Sequence, residues 1–216
     1  MNRLGRHPHL CLITPGEANP ANFEDQKSSI LTTVRDAVDD GVDLIQLREK
    51  VLPGKLLFEL ANELVRALKE TSAIVLINDR PDVALASGAH GVHLPETSLP
   101  ASVVRRAFGD GLVIGVSTHS VESAISASTS GADYLFFGPV FETPGKGAPA
   151  GLGELRKICR SVGPFPVLAL GGVDEANAEE VLATGAAGLA AIRSLNEKES
   201  RRSICKTAQA FRAALR

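Results

Sequence analysis

Short apolar runs alternate along the whole chain with amphipathic segments of helical period, the pattern of βα units that build a parallel sheet. The strand candidates are Leu10 to Thr14, Leu44 to Arg48, Ile74 to Asn78, Gly91 to Leu94, Leu112 to Ser117, Tyr134 to Phe137, Pro166 to Leu170 and Gly188 to Ile192. The helices expected between and after them run Gln26 to Asp40, Lys55 to Thr71, Pro81 to Ser87, Pro100 to Phe108, Val121 to Ser130, Leu152 to Ser161, Glu175 to Thr184 and Lys198 to Leu215. A weak internal repeat supports the count: GVDLIQL at Gly41, GAHGVHL at Gly88, GADYLFF at Gly131 and GAAGLAA at Gly185. In each, glycine is expected to close a helix in the left-handed conformation before the next strand. Eight such units predict a single-domain (β/α)8 TIM barrel over residues 1–216, with strands near-continuously apolar because helices cover them outside and side chains fill them inside. The competing open doubly wound sheet usually carries an early glycine fingerprint, and the first strand here is followed only by TPGEANP.

Composition narrows this picture without redirecting it. At 216 residues, 44% hydrophobic and 22% charged, with no Pro, Gly or Ser-rich linker, the chain reads as one globular domain with a substantial core. A formal net charge of -2 provides no general attraction for nucleic acid, so an anion must be held by Lys and Arg gathered locally. Cys11, Cys159 and Cys205 are odd in number and far apart, which argues for reduced thiols in a cytoplasmic protein rather than a disulfide or metal framework. The opening MNRLGRHPHLCLITPG lacks the apolar run of a signal peptide, and no stretch is apolar enough for a membrane span. Amphipathic outer helices suit a monomer and a homo-oligomer alike.

A barrel places its active site where the C-terminal ends of the strands meet the βα loops. Strand two delivers Gln46, Arg48 and Lys50 there; with a period of two, Gln46 and Arg48 both point inward, and a buried guanidinium calls for an anionic partner. Strand three delivers Asn78 and Asp79, the latter equally a ligand group or a helix cap. After strand four, Ser98 with Pro100 reads as a helix start. Strand five ends in Ser117, Thr118 and His119, and the imidazole suits proton transfer near neutral pH. The loop after strand six carries Thr143, Lys146 and several glycines, fit to close over an anion. Gly171 and Gly172 after strand seven, with Arg193 and Ser194 after strand eight, occupy the usual phosphate position of barrels.

With these residues in place, the chain resembles the thiamine phosphate synthase/TenI superfamily from about Leu10 to Leu195. The words are QLREK at Gln46, INDRPDVAL at Ile77, GVHL at Gly91, GVSTHS at Gly115, GADYLFFGPVFETPGK at Gly131 and PVLALGGV at Pro166, each at the end of its own strand. The synthases of that family join a hydroxymethylpyrimidine diphosphate to a thiazole phosphate with Mg²⁺ held by two aspartates, one in NDR and one in a GVHLGQxD word. Asp79 matches the first, but GVHLPETS puts Ser98 where the second belongs. The TenI branch instead has LPxxS and FETxxK, matched by Leu94, Pro95 and Ser98 and by Phe141, Glu142, Thr143 and Lys146. The resemblance therefore implies a thiazole tautomerase: an isomerase without a metal or other cofactor, with His119 as the catalytic proton-transfer residue and a small phosphorylated thiazole as substrate. Its alternative is the synthase, with Mg²⁺ at Asp79. A third is a regulatory barrel that binds a thiamine precursor without turnover.

Overall fold

The structure is a computed structural model that describes residue 4 and residues 8–214. Eight parallel strands close a barrel in sequence order: β1 (His9–Ile13), β2 (Leu44–Leu47), β3 (Ile74–Asn78), β4 (Gly91–Leu94), β5 (Val113–Thr118), β6 (Tyr134–Phe137), β7 (Val167–Leu170) and β8 (Gly188–Ala191). Closure comes from β1 pairing with β8, His9 opposite Gly188, which rules out the open sheet. The helices are α1 (Phe23–Asp40), α2 (Gly54–Leu68), α3 (Pro81–Ser87), α4 (Ala101–Phe108), α5 (Val121–Thr129), α6 (Gly151–Val162), α7 (Ala178–Leu182), α8 (Arg193–Asn196) and α9 (Lys198–Ala214). The expected end of the last helix, Leu215, lies outside the described residues, as do residues 1–3 and 5–7 of the opening stretch.

Side-chain size explains how the interior closes. Tyr134, fully buried, fills the barrel opposite Gly115, where an added Cβ would come within 2.0 Å of the phenol ring. Cys11, Leu44, Leu76, Val113, Phe136, Leu168 and Ala190 complete this inner layer. The alternate residues of the same strands pack outward against the helices, so each strand is apolar on both faces as a covered parallel sheet requires. All three cysteines are free.

The repeat has a structural meaning. Gly41, Gly88, Gly131 and Gly185 all have positive φ, from 72° to 112°, the left-handed turn expected of them. Two residues beyond the first three stands a polar side chain that accepts a backbone N–H from the preceding strand. Asp43 accepts from Leu10 at 2.8 Å, His90 from Val75 at 3.0 Å and Asp133 from Ile114 at 2.8 Å. The fourth copy has Ala187 at that place and uses only its backbone, donating to Val167.

Three of the element ends that differ from expectation do so for local reasons. β2 stops at Leu47 because the Arg48 N–H donates to the Thr14 hydroxyl instead of the ladder. α7 begins at Ala178 rather than Glu175 because the Asn177 side chain accepts from Asp174 N–H and donates to Gly172 C=O, tying that stretch into a loop. Beyond β8, Arg193 and Ser194 open the unforeseen short helix α8 rather than extending the strand.

Candidate active site

A cavity of about 1000 Å³ opens at the C-terminal end of the barrel. Its walls include Gln46, Arg48, Lys50, Asn78, Ser117, His119, Thr143, Lys146, Gly171, Gly172, Arg193 and Ser194, so residues from six of the strand ends converge as the barrel rule requires. Gln46, 2% exposed, and Arg48 both line the cavity while Leu47 between them does not, in keeping with two-residue alternation.

Two expected site residues stand elsewhere. Thr118 does not line the cavity: next to inward Ser117, alternation turns it outward, where it is buried and donates its hydroxyl to Phe136 C=O at 3.1 Å. Asp79 stands on the exposed rim rather than in the cavity wall. It is not a helix cap, because Arg80 holds that place and makes no side-chain cap. Instead Asp79 has φ 58°, an unusual value for a non-glycine residue, and its carboxylate accepts a hydrogen bond from the Ser98 hydroxyl. Ser98 likewise starts no helix, since α4 begins behind Pro100 without a side-chain cap.

Positive charge concentrates on one side of the mouth. The Lys50 ammonium is held below its usual value, first by the Arg48 guanidinium beside it, then by partial burial and by Lys146, with Asp79 opposing. Arg48, Lys50 and Lys146 thus gather at this side of the mouth, with Asp79 the carboxylate acting on Lys50. Across the mouth, Gly171 and Gly172 both have positive φ, and a Cβ on either would collide with the 139–142 segment that packs over them. Those glycines are thus required by packing as well as by any close backbone approach to a phosphate. The Ser194 hydroxyl is occupied, donating to Val173 C=O at 2.7 Å, while Arg193 beside it lines the cavity.

His119 sits at the rim, exposed. Its Nδ1 is 2.5 Å from Gly138 C=O; a carbonyl only accepts, so Nδ1 carries the proton. Its Nε2 is 3.9 Å from the Glu96 carboxylate.

The cavity floor holds a residue that sequence inspection passed over. His93 on β4 is 2% exposed, with Nδ1 2.9 Å from the Tyr134 hydroxyl and Nε2 2.9 Å from the Ser117 hydroxyl. Burial holds its imidazole down to about 3, so it is neutral throughout the physiological range. The signal was available: a histidine inside the apolar word GVHL is as costly to bury unpaired as Gln46 in its own strand.

Among the described residues no three His, Cys, Asp or Glu side chains gather as a metal-ligating group. Mg²⁺ does not need one, because it keeps several waters and binds through one or two carboxylates together with substrate phosphates. Asp79, with the Ser98 hydroxyl against it, offers one carboxylate of such a sparse donor set.

A family model described as thiamine monophosphate synthase, TMP-TENI, matches residues 10–195. A putative thiamine-phosphate synthase of Geobacter sulfurreducens is 47% identical over 169 residues, 77% of this chain and 79% of that one. A thiamine-phosphate synthase of Chlorobium luteolum is 38% identical over 196 residues, 89% of this chain and 87% of that one. Among solved structures, thiamine phosphate pyrophosphorylase from Pyrococcus furiosus superposes with a TM-score of 0.84 at 33% identity, over 96% of this chain and 98% of its own. These relatives overturn the tautomerase expectation and the isomerase class with it: their names, at 36% to 47% identity, are those of a synthase. The TenI branch, read from LPxxS and FETxxK, is not confirmed. Ser98, read as standing where a second carboxylate belongs, donates its hydroxyl to the one carboxylate that remains, Asp79, and so did not suffice to separate tautomerase from synthase. No helix among the described residues is long and apolar enough to cross a membrane.

Proposed function

The chain belongs to the thiamine monophosphate synthase family, and on that premise we propose that it is a thiamine phosphate synthase, a transferase that joins a hydroxymethylpyrimidine diphosphate to a thiazole phosphate. The observation that carries this is the cationic group of Arg48, Lys50 and Lys146 facing the Asp79 carboxylate at the cavity mouth. A tautomerase acting on a thiazole carboxylate phosphate would meet only one carboxylate besides its phosphate, whereas transfer from a diphosphate brings a far more highly charged group, which three gathered cations suit better.

In the reaction, the thiazole nitrogen forms a bond to the pyrimidine methylene carbon, and the bond from that carbon to the diphosphate oxygen breaks with its electron pair going to the diphosphate. The barrier lies in the negative charge developing on the leaving group. Arg48, Lys50 and Lys146 line the cavity mouth and suit stabilising that charge. Asp79, with Ser98, would hold Mg²⁺, whose contribution is Lewis-acid neutralisation of the diphosphate. Gln46 and Asn78 present side-chain amides from β2 and β3, suited to orienting a heteroaromatic ring on the floor. Gly171, Gly172, Arg193 and the backbone at Ser194 take the thiazole phosphate. Thr143, whose hydroxyl donates to Phe141 C=O at 3.0 Å, shapes the loop that brings Lys146 over the mouth. The thiazole nitrogen attacks through a lone pair and has no proton to surrender, so no general base is required at this step.

The purified protein, supplied with both substrates and Mg²⁺, is expected to form thiamine phosphate and inorganic diphosphate in equal amounts. Tight binding of the thiazole phosphate without product would overturn the assignment and leave the regulatory barrel.

A further inference from the structure

We propose that Tyr134 and His93 form a one-way hydrogen-bond relay that fixes the Ser117 hydroxyl as a donor aimed into the cavity. His93 and Tyr134 are thereby positioning residues acting through Ser117. A neutral imidazole has one N–H donor and one bare nitrogen acceptor, and here each nitrogen faces a hydroxyl at 2.9 Å. Only two arrangements are available. In one, the Tyr134 O–H donates to Nδ1 and the Nε2–H donates to Ser117 Oγ. In the other, both bonds run the opposite way.

The surroundings of Tyr134 decide between them. Its ring is fully buried in the apolar layer formed by Cys11, Val113, Phe136 and their neighbours, and His93 is the hydrogen-bond partner of its hydroxyl. If Nδ1–H donated to the phenol oxygen, the phenol hydrogen would be left facing that apolar layer. An orphaned buried donor is rarer in proteins than an oxygen with an unused lone pair, so the hydrogen belongs on the bond to Nδ1. Proton and tautomer then follow: Nε2 carries the hydrogen, Ser117 Oγ accepts it, and the serine's own hydrogen turns toward the cavity it lines. The imidazole cannot readily flip to reverse the order, being stacked on Phe136 at 4.1 Å and 30° and tilted against Tyr134 at 5.6 Å.

What Ser117 meets is therefore an acceptor, and its identity rests on the synthase reading: a ring nitrogen of the pyrimidine or an oxygen of the diphosphate. The relay itself does not depend on that reading. Nitrogen-15 NMR of histidine-labelled protein without substrate should show His93 with protonated Nε2 and bare Nδ1, and a protonated Nδ1 overturns the relay whatever the protein catalyses. In the synthase assay, Tyr134→Phe should lower kcat/KM about three- to tenfold, the net size of one neutral hydrogen bond. Tyr134→Phe combined with Ser117→Ala should be no worse than Ser117→Ala alone, because the relay acts only through the serine; additive losses sink it. Inorganic diphosphate and hydroxymethylpyrimidine, each titrated alone into Ser117→Ala, locate the acceptor by which one binds more weakly. Unchanged affinity for both would refute a donor role for Ser117.

Discussion

The Ser98 hydroxyl donates a hydrogen bond to the Asp79 carboxylate, joining the loop after β4 to the loop after β3 at the rim of the cationic mouth. An aspartate at 98 would add a second charge beside Asp79 and a second oxygen ligand for a hard cation. Ser98→Asp should therefore lower the Mg²⁺ concentration giving half-maximal synthase rate. Asp79→Asn should reduce kcat/KM by about 100-fold or more, because a Lewis-acid cation supplies several kcal/mol of transition-state stabilisation. Initial rates across a Mg²⁺ titration measure both, and an Asp79→Asn protein with the wild-type Mg²⁺ dependence would move the metal elsewhere.

Lys50 is held below its usual value chiefly by Arg48, with partial burial and Lys146 adding to it. A bound diphosphate reverses that balance and raises its pKa, so between the free and bound values the complex carries more protons than the free protein. Diphosphate binding should take up a proton at alkaline pH, and its affinity should fall as pH rises through the free-protein value. Calorimetry in buffers of different ionisation enthalpy reads the uptake directly. It should vanish in Lys50→Gln, which should also bind diphosphate about tenfold more weakly.

His119 gives its Nδ1–H to Gly138 C=O and stands exposed at the rim, while the proposed transfer needs no general base. His119→Asn should keep synthase kcat within about tenfold of wild type, short of the roughly 10²- to 10⁴-fold loss on removing a general acid or base. A larger loss would restore His119 as a proton-transfer residue.

At the phosphate end, Arg193 is exposed and lines the cavity while the Ser194 hydroxyl is engaged with Val173 C=O. Arg193→Ala should weaken thiazole phosphate binding by about 1.5 to 3 kcal/mol, the range for a charge-assisted hydrogen bond. Ser194→Ala should act through the β7 loop it anchors, lowering thermal stability more than affinity. The opposite ranking in a binding titration would make the serine hydroxyl, not the arginine, the phosphate donor.

The acceptors of the repeat belong to the opposite end of the barrel and should affect folding alone. Asp133 accepts from Ile114 N–H and pairs with Arg105 at 2.6 Å, so Asp133→Ala should cost about 2 to 4 kcal/mol of stability with an unchanged KM. His90 accepts Val75 N–H through a bare Nδ1, and burial lowers its pKa. A depressed pKa means the contribution is present above the unfolded-state value near 6.5 and lost as pH falls through the folded value. Denaturation of wild type and His90→Gln should therefore differ near pH 8 and converge under acid conditions; a gap that widens on acidification would reverse the sign.

By itself the sequence determined the eight βα units, the left-handed turns at Gly41, Gly88, Gly131 and Gly185, and the inward parity of Gln46 and Arg48. These follow from relations between near neighbours in the chain: apolar period, helix-closing glycine and strand alternation. The same alternation, applied one residue further on β5, would have turned Thr118 away from the site. Only the tertiary structure paired Asp79 with Ser98, placed His93 between Tyr134 and Ser117, and wound Arg193 and Ser194 into α8. Those contacts join residues from different strands and loops, and their distances are set by closure of the whole barrel. A serine in place of an aspartate therefore reads as a missing ligand in one dimension and as a partner of the remaining carboxylate in three.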